Sequence, residues 1–239
     1  MPVFLNYIWN RSLNSLLLGQ LRRMIMSMLM TKMFSVGMLS ANCYVVNCKD
    51  TLQAAVIDPG FGSQKEADEV ISYIAKNNFD LKFIVDTHGH PDHTSGNQVL
   101  KEKFHAPICI HEEDAYMLGE SGLGASLYFG FDTVSPPADI FLREGSSINF
   151  GDVTLRVVHT PGHSLGSMVL LGETEVYTGD TLFAGSIGRT DFPGSSDSEM
   201  KSSLRKLVSL PDYFVVYPGH GPETTIGLEK RVNPFLLDL

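Results

Sequence analysis

Cysteine is scarce in this sequence of 239 residues, which contains only Cys43, Cys48 and Cys109. Three cysteines cannot form a fully paired disulfide framework. None of them belongs to a Cys-x-x-Cys pair, which argues against a thiolate zinc site. Cys43 and Cys48 lie in an apparent strand, where an odd separation places two side chains on opposite faces. We therefore predict small buried side chains in a reducing compartment, the cytoplasm.

Basic residues are also scarce, and they are fewer than the acidic residues. There are 18 Lys and Arg residues against 27 Asp and Glu residues, a formal net charge of −9. Broad contact with a phosphate backbone needs a basic surface, so we expect no nucleic-acid partner. The hydrophobic share of 43% and the charged share of 19% are typical of a globular protein with a substantial core.

Long apolar runs are missing, and no acidic residue precedes Asp50. Without a run of about 18 apolar residues, we expect no membrane-spanning helix. Residues 1–32 mix arginine and lysine with leucine and methionine, without a clear secretory signal. We interpret them as an N-terminal extension: an accessory segment, an over-extended start, or an organelle-targeting, membrane-surface or partner-binding segment. One domain is expected over residues 33–239.

The rest of the chain alternates short β-rich runs with amphipathic segments. CYVVNC and QAAVIDPG predict a β-hairpin, and a helical apolar spacing follows a capping Ser63. Further helices are expected over residues 96–104 and 198–209, and a long loop over residues 119–137. Four closely spaced runs after residue 146 indicate an antiparallel sheet. These elements predict an α/β fold with two sheets packed face to face and helices outside.

Histidine and aspartate recur where predicted strands end. Each group follows an apolar run and lies in a turn rich in glycine or proline. The donors are His88, His90, Asp92 and His93 in THGHPDH, His163 in HTPGHS, Asp180 in GDTLF, and His220 in YPGHG. Imidazole and carboxylate donors without thiolate suit zinc, iron or manganese. Because the first four donors are crowded into one short turn, the spacing favours two adjacent ions over one.

These motifs, in this order, resemble the His-x-His-x-Asp-His signature of the metallo-β-lactamase-fold hydrolases. The resemblance covers the chain from Met33 to about Leu236. GDTLFAGSIGRTDFPGSS and VVYPGHGPETTIGLEKRVNPFL are similar to the compact glyoxalase II-like, or hydroxyacylglutathione hydrolase-like, branch. The implied fold is a four-layer αβ/βα sandwich of two mixed β-sheets with outer helices, forming a catalytic domain over residues 33–239.

The resemblance also implies a set of ligands for two divalent ions, zinc in the first place, with iron or manganese as alternatives. His88, His90 and His163 would hold one ion, Asp92, His93 and His220 the other, and Asp180 would bridge them. Asp92 and Asp180 are the implied catalytic residues. Asp58 in IDPG fits a carboxylate that orients a ligand imidazole, with a turn-forming role as the alternative.

The implied reaction is hydrolysis of a small acyl-thioester of the S-lactoylglutathione type. Two ions that share a water lower its pKa, so that a metal-bound hydroxide would attack the thioester carbonyl. Arg189 in GSIGRTDF would contact a substrate carboxylate, or would form an ion pair with Asp191. Asp191 itself stands where glyoxalase II enzymes carry an aromatic residue.

Two other functions compete with this interpretation. A related branch with a GRTDF motif consists of mononuclear iron persulfide dioxygenases, in which His88, His163 and Asp180 would form a two-histidine, one-carboxylate triad. A non-enzymatic metal-binding protein on a retained fold is the third reading, and the full donor set argues against it. A homo-oligomer is compatible with each of them.

Overall fold

The computed structural model of the protein describes residues 28–122, 134–237 and 239. The strands are β1 (Leu29–Val36), β2 (Ala41–Cys48), β3 (Gln53–Ile57), β4 (Asp80–Val85), β5 (Ile108–His111), β6 (Ile140–Leu142), β7 (Ser147–Phe150), β8 (Val153–His159), β9 (Met168–Leu171), β10 (Glu175–Gly179), β11 (Leu182–Phe183), β12 (Ser186–Ile187), β13 (Val215–Pro218) and β14 (Thr224–Thr225). The α-helices are α1 (Gln64–Lys76), α2 (Pro91–Thr94), α3 (Asn97–Phe104), α4 (Asp197–Val208), α5 (Ile226–Val232) and α6 (Pro234–Leu237). Most of the long loop predicted over residues 119–137, and most of the N-terminal extension, lie outside the described residues.

The first sheet has the strand order β1-β2-β3-β4-β5-β6. The predicted hairpin is confirmed, because β2 pairs with β3 in antiparallel register. The strands from β3 to β6 are parallel to one another. Helix α1 connects β3 to β4, and its first turn is capped by Ser63, whose hydroxyl accepts a hydrogen bond from the amide of Glu66 at 3.4 Å.

The second sheet has the order β14-β13-β10-β9-β8-β7. Strands β7 to β10 pair in antiparallel register, as predicted, and β10 is parallel to β13. Both sheets are therefore mixed. A small third sheet joins β11 to β12.

Three apolar clusters define the layers. One contains side chains of both sheets, among them Tyr44, Ile57, Leu155 and Tyr177, and forms the centre of the sandwich. A second joins the outer face of the first sheet to α1 and α3, and a third joins the second sheet to α4, α5 and α6. The four-layer prediction is confirmed. Within the described ranges, no helix has both the length and the apolar character needed to cross a membrane.

Strand β2 shows the predicted alternation of its cysteines. Cys43 packs in the cluster beneath the helices, whereas Cys48 packs between the two sheets. All three cysteines are buried and free. Strand β1, which pairs with β2 along its length, begins at Leu29. It therefore starts four residues before the domain boundary drawn at residue 33.

The sheet topology brings the predicted donor turns together. Because β8 and β10 are each antiparallel to β9, and β10 is parallel to β13, the carboxyl ends of β8, β10 and β13 share one edge of the second sheet. The turn after β4 faces them from the first sheet, and it leads directly into the short helix α2. The four strand ends therefore meet at one site.

Candidate metal centre

The seven predicted donors converge at this edge. Four of the histidines are buried almost completely, and the side chain of His220 is 24% exposed. Ligand atoms within 4.8 Å of one another define three overlapping groups. These are His88 with His90 and His163, His88 with His93 and Asp180, and Asp92 with His93 and His220. The first and third groups have the composition expected for the two ions.

Asp180 lies between these two groups. Its Oδ2 atom is 3.4 Å from Nε2 of His163 and 3.7 Å from Nε2 of His220. Its Oδ1 atom is 3.4 Å from Nε2 of His93. Asp92 belongs only to the third group, with its Oδ2 atom 3.3 Å from Nε2 of His220 and 3.6 Å from Nε2 of His93. One carboxylate thus contacts both groups, and the other contacts one.

Backbone carbonyls orient two of the imidazoles. Nδ1 of His163 donates to the carbonyl of Arg189 at 2.8 Å, and Nδ1 of His220 donates to the carbonyl of Leu39 at 3.1 Å. A carbonyl oxygen can only accept, so each Nδ1 atom carries a proton, and Nε2 is the ring nitrogen that faces the cluster. Nε2 is therefore the atom through which these two imidazoles would bind a metal ion.

Asp58 lies behind the cluster and is fully buried. Its Oδ2 atom is 3.1 Å from Nδ1 of His93, the side of the ring that points away from the other ligands. The same carboxylate accepts hydrogen bonds from the backbone amide and the hydroxyl of Thr87, both at 2.7 Å. Asp58 also has a positive φ of 52°, a conformation typical of turns. Both roles considered for this residue, forming the turn and contacting the imidazole, are therefore filled by the same side chain and backbone.

The electrostatics of the histidines differ across the cluster. Burial lowers the pKa of His88, and burial together with the neighbouring His163 lowers that of His90 to about 3. Burial also opposes protonation of His93, but the surrounding carboxylates, led by Asp92, outweigh it and raise its pKa to about 10. The surrounding carboxylates therefore favour positive charge at His93, as they would favour a bound cation.

For Asp92, burial acts to raise the pKa of the carboxyl group, but His93 and His220 hold it well below its usual range. This carboxylate is therefore ionised at neutral pH. An ionised carboxylate is the form that accepts hydrogen bonds and binds cations.

The donor set fits divalent metal ions. Nε2 of His88 and Oδ1 of Asp180 are buried atoms without a hydrogen-bond partner in the described part of the chain. Buried polar atoms are rarely left unpaired, and a metal ion would satisfy both. Gly219 leaves space beside them, because a Cβ atom at this position would lie 2.2 Å from Oδ1 of Asp180. Five imidazoles and two carboxylates suit zinc, iron or manganese.

A buried carboxylate that the sequence did not reveal joins two of the donor turns. Asp114, which follows β5, accepts hydrogen bonds from the amide of Gly89 at 3.0 Å, from the hydroxyl of Ser164 at 2.6 Å and from the amide of Gly166 at 2.6 Å. Gly89 separates His88 from His90, and Ser164 follows His163. Asp114 therefore links the turn that carries His88 and His90 to the turn that carries His163.

Arg189 borders the cluster and pairs with Asp191, one of the two alternatives expected for it. Nε donates to Oδ1 of Asp191 at 2.6 Å, and Nη2 donates to Oδ2 at 2.7 Å. The guanidinium also lies over the ring of Phe192, with Cζ 3.9 Å from the ring centroid. The ring of Phe192 in turn meets that of His90 edge to face, with 5.5 Å between the centroids. Phe192 thus brings an aromatic side chain to this rim, one position after Asp191.

The motifs and the geometry agree with the comparison to known families. The model of the metallo-beta-lactamase superfamily matches residues 36–220. The chain belongs to this superfamily. The match spans all seven donors. Together with the clusters of His and Asp, membership identifies the chain as a metal-binding, hydrolase-like protein.

The chain is similar to several members of the superfamily that carry different names. Hydroxyacylglutathione hydrolase GloC of Haemophilus influenzae is 35% identical over 211 residues, covering 84% of this chain and 98% of the relative. The crystal structure of TTHA1623 in a di-iron-bound form superposes with a TM-score of 0.76 at 34% identity, covering 86% of this chain and 100% of that one. ETHE1 from Myxococcus xanthus superposes with a TM-score of 0.72 at 29% identity, covering 86% and 83%.

Proposed function

We propose that this protein is a binuclear metal-dependent hydrolase that cleaves acyl-thioesters of the S-lactoylglutathione type. The observation that carries the proposal is the position of Asp180, whose carboxylate contacts His163 of one ligand group and His93 and His220 of the other. A carboxylate shared in this way suits two ions better than one. The similarity to GloC supports the choice of substrate class.

The residues of the two groups would each hold one divalent cation, zinc in this proposal. When bound, such a pair supplies an activated water and an electrophile for the substrate carbonyl. His163 and His220 are held by their Nδ1 hydrogen bonds with Nε2 directed inward. Asp58, through its contact with His93, would orient a third imidazole. The protein therefore contributes a preorganised set of ligands.

The chemistry of the leaving group favours a thioester. Asp92 is held ionised beside His93 and His220, so it can orient a water molecule by accepting its hydrogen bond, but it does not offer a proton to a leaving group. A thiol has a pKa of roughly 8.5, so a thiolate departs without strong help from a general acid. An amide or alkoxide leaving group would need such help.

A second candidate is the mononuclear iron persulfide dioxygenase. The specific observation in its favour is that Oδ2 of Asp180 lies 3.4 Å from Nε2 of His163, with His88 in the same cluster. These three residues could form a two-histidine, one-carboxylate triad for iron. Asp92, His93 and His220 would then have no metal to bind, although they form an equally compact group.

Metal analysis and turnover on one preparation separate these reactions. The purified protein would be assayed for metal content, for hydrolysis of S-lactoylglutathione and for oxygen uptake with glutathione persulfide. We expect two metal ions per chain, release of glutathione and no oxygen uptake. One iron per chain with persulfide-dependent oxygen consumption would overturn the proposal in favour of the second candidate.

Two variants test the site itself. Asp180→Ala removes the shared carboxylate, so it should reduce bound metal and abolish thioester hydrolysis. Asp212→Ala is the matched control, because Asp212 is a highly exposed aspartate that pairs with Lys230 of α5. Full metal content in Asp180→Ala would refute the assignment of Asp180 as a shared ligand.

A further inference from the structure

Asp191 occupies the hydrogen-bonding fork of Arg189. Two parallel hydrogen bonds, of 2.6 and 2.7 Å, join the guanidinium to both oxygens of this carboxylate. The planar guanidinium fork matches one carboxylate in bidentate fashion, and Asp191 presents its own carboxylate in that arrangement. The hydrogen bonds from Arg189 also lower the pKa of Asp191, so the acid is ionised at neutral pH.

The pair stands at the rim of the metal centre. The carbonyl of Arg189 accepts the hydrogen bond that orients His163. The guanidinium rests on Phe192, whose ring touches His90 edge to face. The Arg189 and Asp191 side chains are 57% and 67% exposed, so the ion pair is open to solvent and to a bound ligand.

An internal carboxylate competes with any carboxylate of the substrate. Asp191 lies on the same loop as Arg189, so its effective concentration at the guanidinium is far higher than that of a free ligand. An anionic substrate group must displace Asp191 and then remain close to its negative charge. An uncharged group does not need to displace Asp191, and the negative charge of Asp191 does not repel it.

We propose that Asp191 is a specificity-determining residue that shields Arg189 from substrate carboxylates, and so lowers the selectivity of the site for glutathione thioesters relative to acyl-thioesters whose thiol portion is uncharged. The inference rests on the proposed thioesterase function and specifies its substrate class. Asp191 does not act on the reacting atoms, and its effect is on the binding of the thiol portion of the substrate.

The expected change in substrate selectivity follows from the solvent exposure of the ion pair between Arg189 and Asp191. Exposed ion pairs are weak, and their loss or gain changes an equilibrium by at most about fivefold. Removing the negative charge of Asp191 adds to this by lowering the repulsion of an anionic thiol. We therefore expect a change of selectivity of about 3- to 10-fold.

The test compares two thioesters with the same acyl group on the zinc-loaded protein. S-lactoylglutathione carries carboxylates on its thiol portion, whereas S-lactoyl-N-acetylcysteamine is neutral. In Asp191→Asn, the ratio of kcat/KM for the glutathione thioester to that for the neutral thioester should rise about 3- to 10-fold. The gain should appear chiefly in KM, because the charge lies outside the reacting centre. In an Arg189→Ala background the same change should give a smaller rise, because only the lost repulsion then contributes.

The matched control is Asp212→Asn, which removes one charge from an ion-paired aspartate with the same side-chain exposure of 67%. It should leave the ratio unchanged. An unchanged ratio in Asp191→Asn, or an equal rise in the Arg189→Ala background, would overturn the inference.

A binding measurement keeps the inference independent of turnover. Calorimetric titration with S-methylglutathione, which has no thioester to cleave, should show tighter binding to Asp191→Asn than to the unsubstituted protein, by the same factor. If the unsubstituted protein cleaves neither thioester, the proposed function fails, and this titration alone decides the role of Asp191. Equal affinity in the two proteins would then refute it.

Discussion

Asp114 offers the sharpest test of how the metal centre is held together. Its carboxylate is fully buried and accepts three hydrogen bonds, from Gly89, Ser164 and Gly166. Replacing it with alanine leaves the amides of Gly89 and Gly166 without an acceptor, whereas the hydroxyl of Ser164 can still donate to Oγ of Ser167 at 2.6 Å. Each unsatisfied donor costs about 1–3 kcal/mol, so Asp114→Ala should lower the free energy of unfolding by about 2–6 kcal/mol. This is a large share of a typical total of about 5–15 kcal/mol.

Asp114→Asn gives the more informative result, because it keeps the shape of the side chain. Its single oxygen can still accept from Gly89 and Ser164, while its amide group faces the N–H of Gly166. One donor is then unsatisfied, and the expected cost is about 1–3 kcal/mol. Ser164→Ala is the control, since it removes a donor and leaves both backbone hydrogen bonds of Asp114 in place; its cost should stay near 1 kcal/mol.

Urea unfolding of the metal-free and zinc-loaded proteins measures these differences at matched m-values. Because Asp114 joins the turn of His88 and His90 to the turn of His163, zinc affinity should also fall, by about 10- to 100-fold, in Asp114→Asn. A loss of stability below about 0.5 kcal/mol with unchanged zinc affinity would refute the reasoning that this carboxylate fastens the two turns.

Three further predictions concern the metal ligands and their surroundings. Since neighbouring carboxylates raise the pKa of His93 to about 10, a metal ion must displace its proton; the logarithm of the zinc affinity should therefore rise by about one unit per pH unit between pH 6 and 8.5, measured by chelator competition, and a flat profile would contradict this. Gly219→Ala should weaken zinc binding, because the new Cβ atom would lie 2.2 Å from Oδ1 of Asp180, and equal metal content after dialysis would contradict the close approach. Asp58→Asn should lower zinc affinity by about 10- to 100-fold through His93, while Asp212→Asn should not, as judged by the same competition assay.

The sequence by itself determined the positions of the candidate metal donors. His88, His163, Asp180 and His220 each come after an apolar run, in a turn that contains glycine or proline, and both signals come from neighbouring residues. Local signals also predicted the helix capped by Ser63 and the hairpin of β2 and β3. Such features have local causes, namely side-chain periodicity and turn chemistry, which survive in a sequence read in isolation.

The partners of buried and charged groups were decided by the tertiary structure. Asp114 contacts residues 25, 50 and 52 positions away, and no local pattern marks it among its acidic neighbours. The start of β1 at Leu29 depends on pairing with β2, because the residues before Met33 have no strand-like pattern of their own. For Arg189, the sequence left two partners open, and the fold places its guanidinium against both Asp191 and Phe192. The physical reason is that a buried or charged group takes whichever partner the packing brings within reach, and packing brings together segments that lie far apart in the chain.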